Sequence, residues 1–131
     1  MDKLAKKIRK ALPKNGNLLV IGRGMGVLKN LLTFYDSVFV IDSEHPNVYS
    51  KNLIYKNFNC EISYLYAVNC IVIDRNKVEY LDKILPIIVK SRPPVIIEGE
   101  DPIPRTQSKI FFKNHYNHVS QHEKFHIWRK Q

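Results

Sequence analysis

The chain has 131 residues, 44% of them apolar and 25% charged, and its 21 Lys and Arg against 12 Asp and Glu leave a net charge of +9. This length suits one domain, residues 1–131, with one core. No apolar run reaches the roughly eighteen residues of a membrane span, and the N-terminus lacks a secretory pattern. The two cysteines, Cys60 and Cys70, lie in strand-like surroundings and read as reduced structural thiols of a cytoplasmic protein. The positive charge favours an anionic partner: nucleic acid, a phosphorylated metabolite or an acidic protein surface. The abundance of Lys, Asn, Ile and Tyr points to an A+T-rich coding source, viral or archaeal. The oligomeric state is left open, and a homo-oligomer is compatible with the sequence.

In chain order, residues 1–14 predict a basic amphipathic helix. Leu4, Ile8 and Leu12 share one face, while Lys3, Lys6, Lys7, Arg9, Lys10 and Lys14 cover the rest. Pro13 and Asn15-Gly16 end it. Such a helix either contacts nucleic-acid phosphates or docks beside a sheet with its basic face solvated. Strand 17–22 enters the glycine turn Gly22-Arg23-Gly24-Met25-Gly26. A helix over 25–34 and a strand over 37–42 come next, the latter ending in Asp42. A polar loop, Ser43 to Asn47, leads into a short helix or turn reaching about Lys51, and residues 53–58 make a weaker third strand. Residues 67–74, AVNCIVID, read as a buried strand ending in Asp74. Asn76 and Glu79 form a capping box for a helix that carries Val78, Leu81, Leu85 and Ile88 on one face. Pro86 is expected to kink that helix or break its last turn. Arg92-Pro93-Pro94 precedes a strand at Val95-Ile96-Ile97, with Glu98, Glu100 and Asp101 after it. A helix over 104–114 and a hairpin from Tyr116 to Lys130, turning near 122–124, complete the chain.

The order strand, glycine loop, helix, strand, acid suits a ligand-binding unit at the carboxyl end of a parallel sheet. Glycines let a ligand approach where a Cβ would block it. The helix start offers free N–H groups and partial positive charge. An acid at the next strand tip can accept hydrogen bonds from both ribose hydroxyls, and Asp42 stands at the expected offset of twenty residues from Gly22. The dinucleotide fingerprint is G-x-G-x-x-G. Here the third glycine comes one residue early.

The form G-x-G-x-G resembles the first motif of the class I S-adenosylmethionine-dependent methyltransferases, and the order of elements is similar over nearly the whole chain. The resemblance implies a methyltransferase-like Rossmann fold: an α/β, doubly wound, mostly parallel sheet with a C-terminal antiparallel hairpin. It implies S-adenosylmethionine as cofactor, bordered by Gly22, Gly24 and Gly26. Asp42 would bind the ribose hydroxyls, and residues near Asn59 to Glu61 would lie near the adenine. Asp74, ending the fourth strand, would face the reacting groups as the candidate catalytic base or orienting residue.

The chain departs from the family in places. Its fourth strand ends Ile73-Asp74-Arg75-Asn76, without the Asn/Asp-Pro-Pro-aromatic signature of exocyclic or amide nitrogen methylation. No cysteine stands beside a catalytic-looking motif, which disfavours cytosine-C5 chemistry. Asp42, Glu44, Asp74, Glu98, Glu100 and Asp101 all fall at or just after strand ends. Such a pocket suits a sulfonium and an ammonium better than a pyrophosphate. Asp74 with Glu98 or Glu100 offers oxygen ligands for Mg²⁺, but capping and loop polarity account for these acids without a metal. The tail histidines, His115, His118, His122 and His126, share a face only if helical. The hairpin reading scatters them, which argues against a transition-metal site. Trp128 is expected to pack against the sheet. The sequence is compatible with two function classes: a small methyltransferase acting on a nucleic acid or other anionic substrate, or a non-catalytic nucleotide- or nucleic-acid-binding module on a reduced Rossmann fold.

Overall fold

The strands are β1 (Asn17–Ile21), β2 (Ser37–Ile41), β3 (Leu53–Lys56), β4 (Cys70–Ile73), β5 (Val95–Glu98), β6 (Tyr116–His122) and β7 (Phe125–Lys130). In β1, β2, β4 and β5 they are short, mostly apolar runs rich in β-branched residues, which prefer a pleated, buried surface. The structure is a computed structural model, and it describes residues 6, 10, 15–22, 32, 34–59, 68–74, 80–99 and 108–131. The seven strands form one sheet in the order β3-β2-β1-β4-β5-β7-β6. Neighbours among β1 to β5 pair in parallel. β7 runs antiparallel to both β5 and β6. The expected mostly parallel sheet with a C-terminal antiparallel hairpin is the one observed.

Alternation along each strand sends its apolar residues to both faces of the sheet. Leu18, Val20, Val38, Val40, Cys70, Val72, Ile96 and Ile127 fill one face with Leu32 and Tyr35. Leu19, Ile21, Ile41, Ile71, Ile73, Val95, Ile97 and Trp128 fill the other. Two helices are described, α1 (Leu85–Ser91) and α2 (Ser108–His115). Their Ile87, Ile88 and Phe112 cover the second face. Strands buried on both sides read as continuous apolar runs, and such runs mark the interior of a parallel sheet.

Pro86 departs from expectation. It lies in the first turn of α1, after a 3₁₀ turn at 80–82, so it opens a helix and does not break the end of one. The ring presets a helical φ, and the missing N–H is one that the first turn leaves unpaired anyway. α1 ends at Arg92 in the left-handed conformation, φ 46° and ψ 54°. The third strand, weak in sequence, pairs with β2 in register. No helix forms between Ser43 and Ser50, where only a turn at Lys51-Asn52 precedes β3. The 25–34 helix, the capping box and the 100–107 stretch fall largely or wholly outside the described residues. Of the N-terminal helix, Lys6 and Lys10 are helical and exposed. Among the described residues no helix is long and apolar enough to cross a membrane.

Asp82 ties the two helical segments together. Its Oδ1 accepts hydrogen bonds from the Ser108 N–H at 2.8 Å and the Ser108 hydroxyl at 2.7 Å, capping α2 from outside its own sequence. Ser108 is fully buried, so these donors have no water to turn to. Asp82→Ala is expected to lower the unfolding free energy by about 1–3 kcal/mol. In chemical denaturation, Ser108→Ala should add much less in that background than it costs alone.

Candidate functional site at the carboxyl edge of the sheet

The ladders of β1, β2 and β4 each run one residue beyond their strands. The Gly22 N–H donates to the Ile41 carbonyl at 2.8 Å, and the Asp74 N–H donates to the Ile21 carbonyl at 3.0 Å. The Asp42 N–H donates to the Lys56 carbonyl at 3.2 Å. These bonds place Gly22, Asp42 and Asp74 on one edge, with β1 between its two neighbours.

Gly22 and Asp74 touch. Gly22 is buried with φ 98°, and a Cβ built there would lie 2.5 Å from Asp74 Oδ2 and 2.7 Å from its Cγ. Only glycine satisfies both the backbone angle and the space. Asp42 is 4% exposed. Its Oδ1 accepts from the Ser43 N–H at 2.7 Å and the Ser43 hydroxyl at 3.4 Å, which fixes the carboxylate's orientation. The Tyr55 hydroxyl donates to the Asp42 carbonyl at 3.2 Å from the neighbouring strand. Charge-free contacts thus hold the acid's main chain, and its own neighbour holds its side chain.

Asn59 lies past the end of β3, exposed, with its N–H donating to Asn57 Oδ1 at 3.2 Å. The preceding Phe58 is anchored: its carbonyl accepts from the Tyr80 hydroxyl at 2.9 Å and from the Lys83 ammonium, and its ring meets Tyr80 at 5.0 Å. Tyr55, Tyr80 and Lys83 were not singled out by the sequence. Their alternation and spacing resemble those of ordinary surface residues, and only the tertiary fold gives them carbonyls to hold. Glu98 ends β5 level with Asp74, since Ile73 and Ile97 are partners in register. Gly24, Gly26, Glu100 and Asp101 lie outside the described residues. Among the described residues no group of three or more His, Cys, Asp or Glu is arranged to hold a metal ion.

The hairpin does not scatter all four histidines. It brings His118 and His126 together, with Nε2 of His118 at 3.0 Å from Nδ1 of His126. Nε2 of His126 lies 3.0 Å from the Gly99 carbonyl. A carbonyl only accepts, so His126 donates from Nε2 and its Nδ1 accepts from His118. This chain of hydrogen bonds fastens the turn after β5 to the hairpin. Trp128 is buried, edge-on to Phe112 at 5.8 Å, which is a core position. Cys70 is a free, buried thiol whose pKa is raised by burial.

No protein-family profile matches the chain, and no curated protein matches it by sequence. A solved structure does: a candidate methyltransferase from Streptococcus mutans in complex with SAH. It is 13% identical, with a TM-score of 0.51 over 98% of this chain and 95% of that one. At that identity the likeness shows the fold, which is a methyltransferase-like α/β fold.

This geometry has two measurable consequences. Gly22→Ala is expected to destabilise by roughly 1–3 kcal/mol through backbone strain alone, with a further loss from the contact with Asp74. Chemical denaturation should show that Asp74→Ala in the same chain recovers only the part due to Cγ and Oδ2, because the Cβ of residue 74 still lies 2.8 Å from the new methyl, and leaves the strain. The second consequence concerns pH. His118 titrates below the ordinary 6.5, first because packing beside Trp128 and His126 desolvates its ring, then because a second proton-accepting imidazole, His126, stands next to it. The folded chain therefore takes up this proton less readily than the unfolded one. The stability is intact above about 6.5 and declines as pH falls from there towards the lower folded value, where it levels off. Melting curves between pH 7.5 and 5 should show a smaller decline for His118→Gln than for the unmodified chain.

Proposed function

We propose that the carboxyl edge binds S-adenosylmethionine and that the chain is a small methyltransferase acting on a nucleic acid or other anionic substrate. The observation that carries this reading is the juxtaposition of Gly22, Asp42 and Asp74 on three adjacent strand ends. A turn at a strand end, flanked by two acids, suits an adenosine ligand with positive charge at its reacting end. The likeness in fold to a protein crystallised with SAH supports it.

Each residue has a derivable role. Gly22, lacking a side chain, lets the chain turn out of β1 with φ 98° while the Asp74 carboxylate sits against it. Asp42, pinned by Ser43, presents an oriented acceptor for the ribose hydroxyl pair. Asn59 flanks the adenine side, on a turn that Tyr80 and Lys83 hold by the carbonyl before it. Gly24 and Gly26 would continue the loop around the ligand. When bound, the cofactor supplies a methyl group already activated on a sulfonium. What remains for the protein is in-line placement of the acceptor and removal of its proton. Asp74 stands against Gly22 and is the candidate to orient the acceptor or take that proton. Lys6 and Lys10, helical and exposed, support a basic N-terminal surface that meets the phosphates of a nucleic-acid substrate. The strand-end sequence Ile73-Asp74-Arg75-Asn76, without a proline-aromatic signature, disfavours exocyclic or amide nitrogen as the acceptor, and the second reading is a binding module without turnover.

Calorimetric titration with S-adenosylmethionine, S-adenosylhomocysteine and NAD tests the proposal. The first two are expected to bind in preference to NAD, and tighter NAD binding would overturn it. Asp42→Ala should weaken the cofactor by about 1.5–3 kcal/mol, the loss of a charged acceptor, without unfolding the chain. Asp74→Asn should leave cofactor affinity nearly fixed and lower any methyl transfer by roughly a hundredfold. Cofactor binding with no transfer to RNA, DNA, protein or phenols would establish the binding module.

A further inference from the structure

We propose that a recess at the opposite, amino edge of the sheet is a binding site for a phosphate group, separate from the carboxyl-edge site. The recess has a volume of about 430 Å³, and its lining includes Asn69, Ser91, Arg92, Arg129 and Lys130. Three cations from two distant segments meet there, and no acid is among the described residues that line it.

The topology explains why they meet. β7 runs antiparallel to β5, with Trp128 opposite Val95, so Arg129 and Lys130 arrive beside the start of β5. Arg92 ends α1 just before that start. Ile71 pairs with Val95, so Asn69 comes in beside them from the chain entering β4. The position of Arg92 sharpens the argument. It takes a left-handed conformation, φ 46°, at a helix end where glycine is the usual residue. Its guanidinium lies 5.8 Å from the Phe111 ring centroid, and a ring face steadies a planar cation. Asn69 is held too, accepting from the Asn17 N–H at 2.8 Å through its side-chain oxygen, which leaves its amide nitrogen as the donor of that side chain. Guanidinium groups match phosphate oxygens with paired hydrogen bonds, and three cations suit a multiply charged group better than a single carboxylate.

The recess is not part of the carboxyl-edge site. Five residue steps separate Asn69 from Asp74 along β4, roughly 16 Å at strand rise. A phosphate bound between Arg92 and Lys130 does not reach the acids. The inference therefore stands whether or not the carboxyl edge binds the proposed cofactor.

The phosphate has two possible sources, a nucleic-acid backbone or a free phosphorylated metabolite, and the test separates them. Inorganic pyrophosphate is titrated into the full chain and monitored by amide NMR and calorimetry. Shifts are expected at Asn69, Ser91, Arg92 and Lys130, with none at Gly22, Asp42 or Asp74. Replacing Arg129 and Lys130 together by glutamine should weaken pyrophosphate roughly tenfold or more, the equivalent of about 1.4 kcal/mol. Arg92→Gly should weaken it as well, and it keeps the test open if the double variant folds poorly, because glycine adopts the left-handed conformation without penalty. Unchanged affinity in these variants, shifts confined to the carboxyl edge, or no saturable binding would each overturn the proposal. A short single-stranded RNA that displaces pyrophosphate, with affinity falling steeply in salt, identifies the source as a nucleic-acid backbone. Pyrophosphate that keeps its site in the presence of that RNA identifies a free phosphorylated metabolite.

Discussion

The carboxyl edge of this protein depends on β1 leaving the sheet through a residue with no side chain. At Gly22 the backbone turns with φ 98°, a region closed to most residues. In turning it still donates to β2 and leaves room for the carboxylate of β4's terminal acid. Any side chain at that position would push β4 away from β1 at the point where Asp74 begins. The spacing of the β1 and β4 ends is therefore set by one contact between a glycine and an aspartate. Around it the fold supplies rigid support. Leu18 to Ile21 are wholly buried, and β1 has a parallel partner on each side, so the turn emerges from the least deformable part of the sheet.

The far side of the sheet is built differently. β5 is the last strand of the parallel run, and its outer side needs a partner or it becomes an open edge. The hairpin supplies that partner through β7, and β6 then takes the edge position. β6 carries an irregular register between His118 and Ser120, and it is largely exposed and polar. A bulged, polar edge resists pairing with another chain. The His126 contact to Gly99 and the Gly99 N–H bond to the Lys124 carbonyl, at 2.8 Å, fix the chain leaving β5 to the hairpin turn. Gly99, which follows β5, is therefore tied to the hairpin at two points.

Much of this was legible in the residues, and the reason is physical. Apolar runs such as Leu18 to Ile21 and Cys70 to Ile73 are too continuous for a half-exposed strand, which places them inside a parallel sheet. Gly22 and Asp42 stood out because they sit where such strands end. The reversed hairpin was visible in its turn and in the bulky residues Phe125 to Trp128. The features that escaped are those that depend on distant partners. Pro86 opens a helix because of where the preceding 3₁₀ turn leaves the chain, which the local pattern does not encode. Asp82 caps a helix that begins 26 residues later. Tyr55, Tyr80 and Lys83 hold carbonyls brought near by the fold. His118 and His126 meet because of the antiparallel hairpin, and a spacing of eight residues gives no hint of it.

The reversal of β7 also explains how a basic protein keeps an acidic edge. In a parallel sheet, the residues just after each strand gather on one side and the residues just before it gather on the other. Asp42, Asp74 and Glu98 stand at the ends of their strands and share the carboxyl edge. Arg92 precedes β5 and stands at the amino edge. Arg129 and Lys130 end β7, and in a parallel strand they would have arrived among the acids. Because β7 runs the other way, they join Arg92. Opposite charges are thereby separated by the length of a strand, which exceeds the roughly 8 Å Debye length at physiological ionic strength. The fields of the two edges therefore overlap little, so the proposed cofactor and the proposed phosphate would bind almost independently of each other.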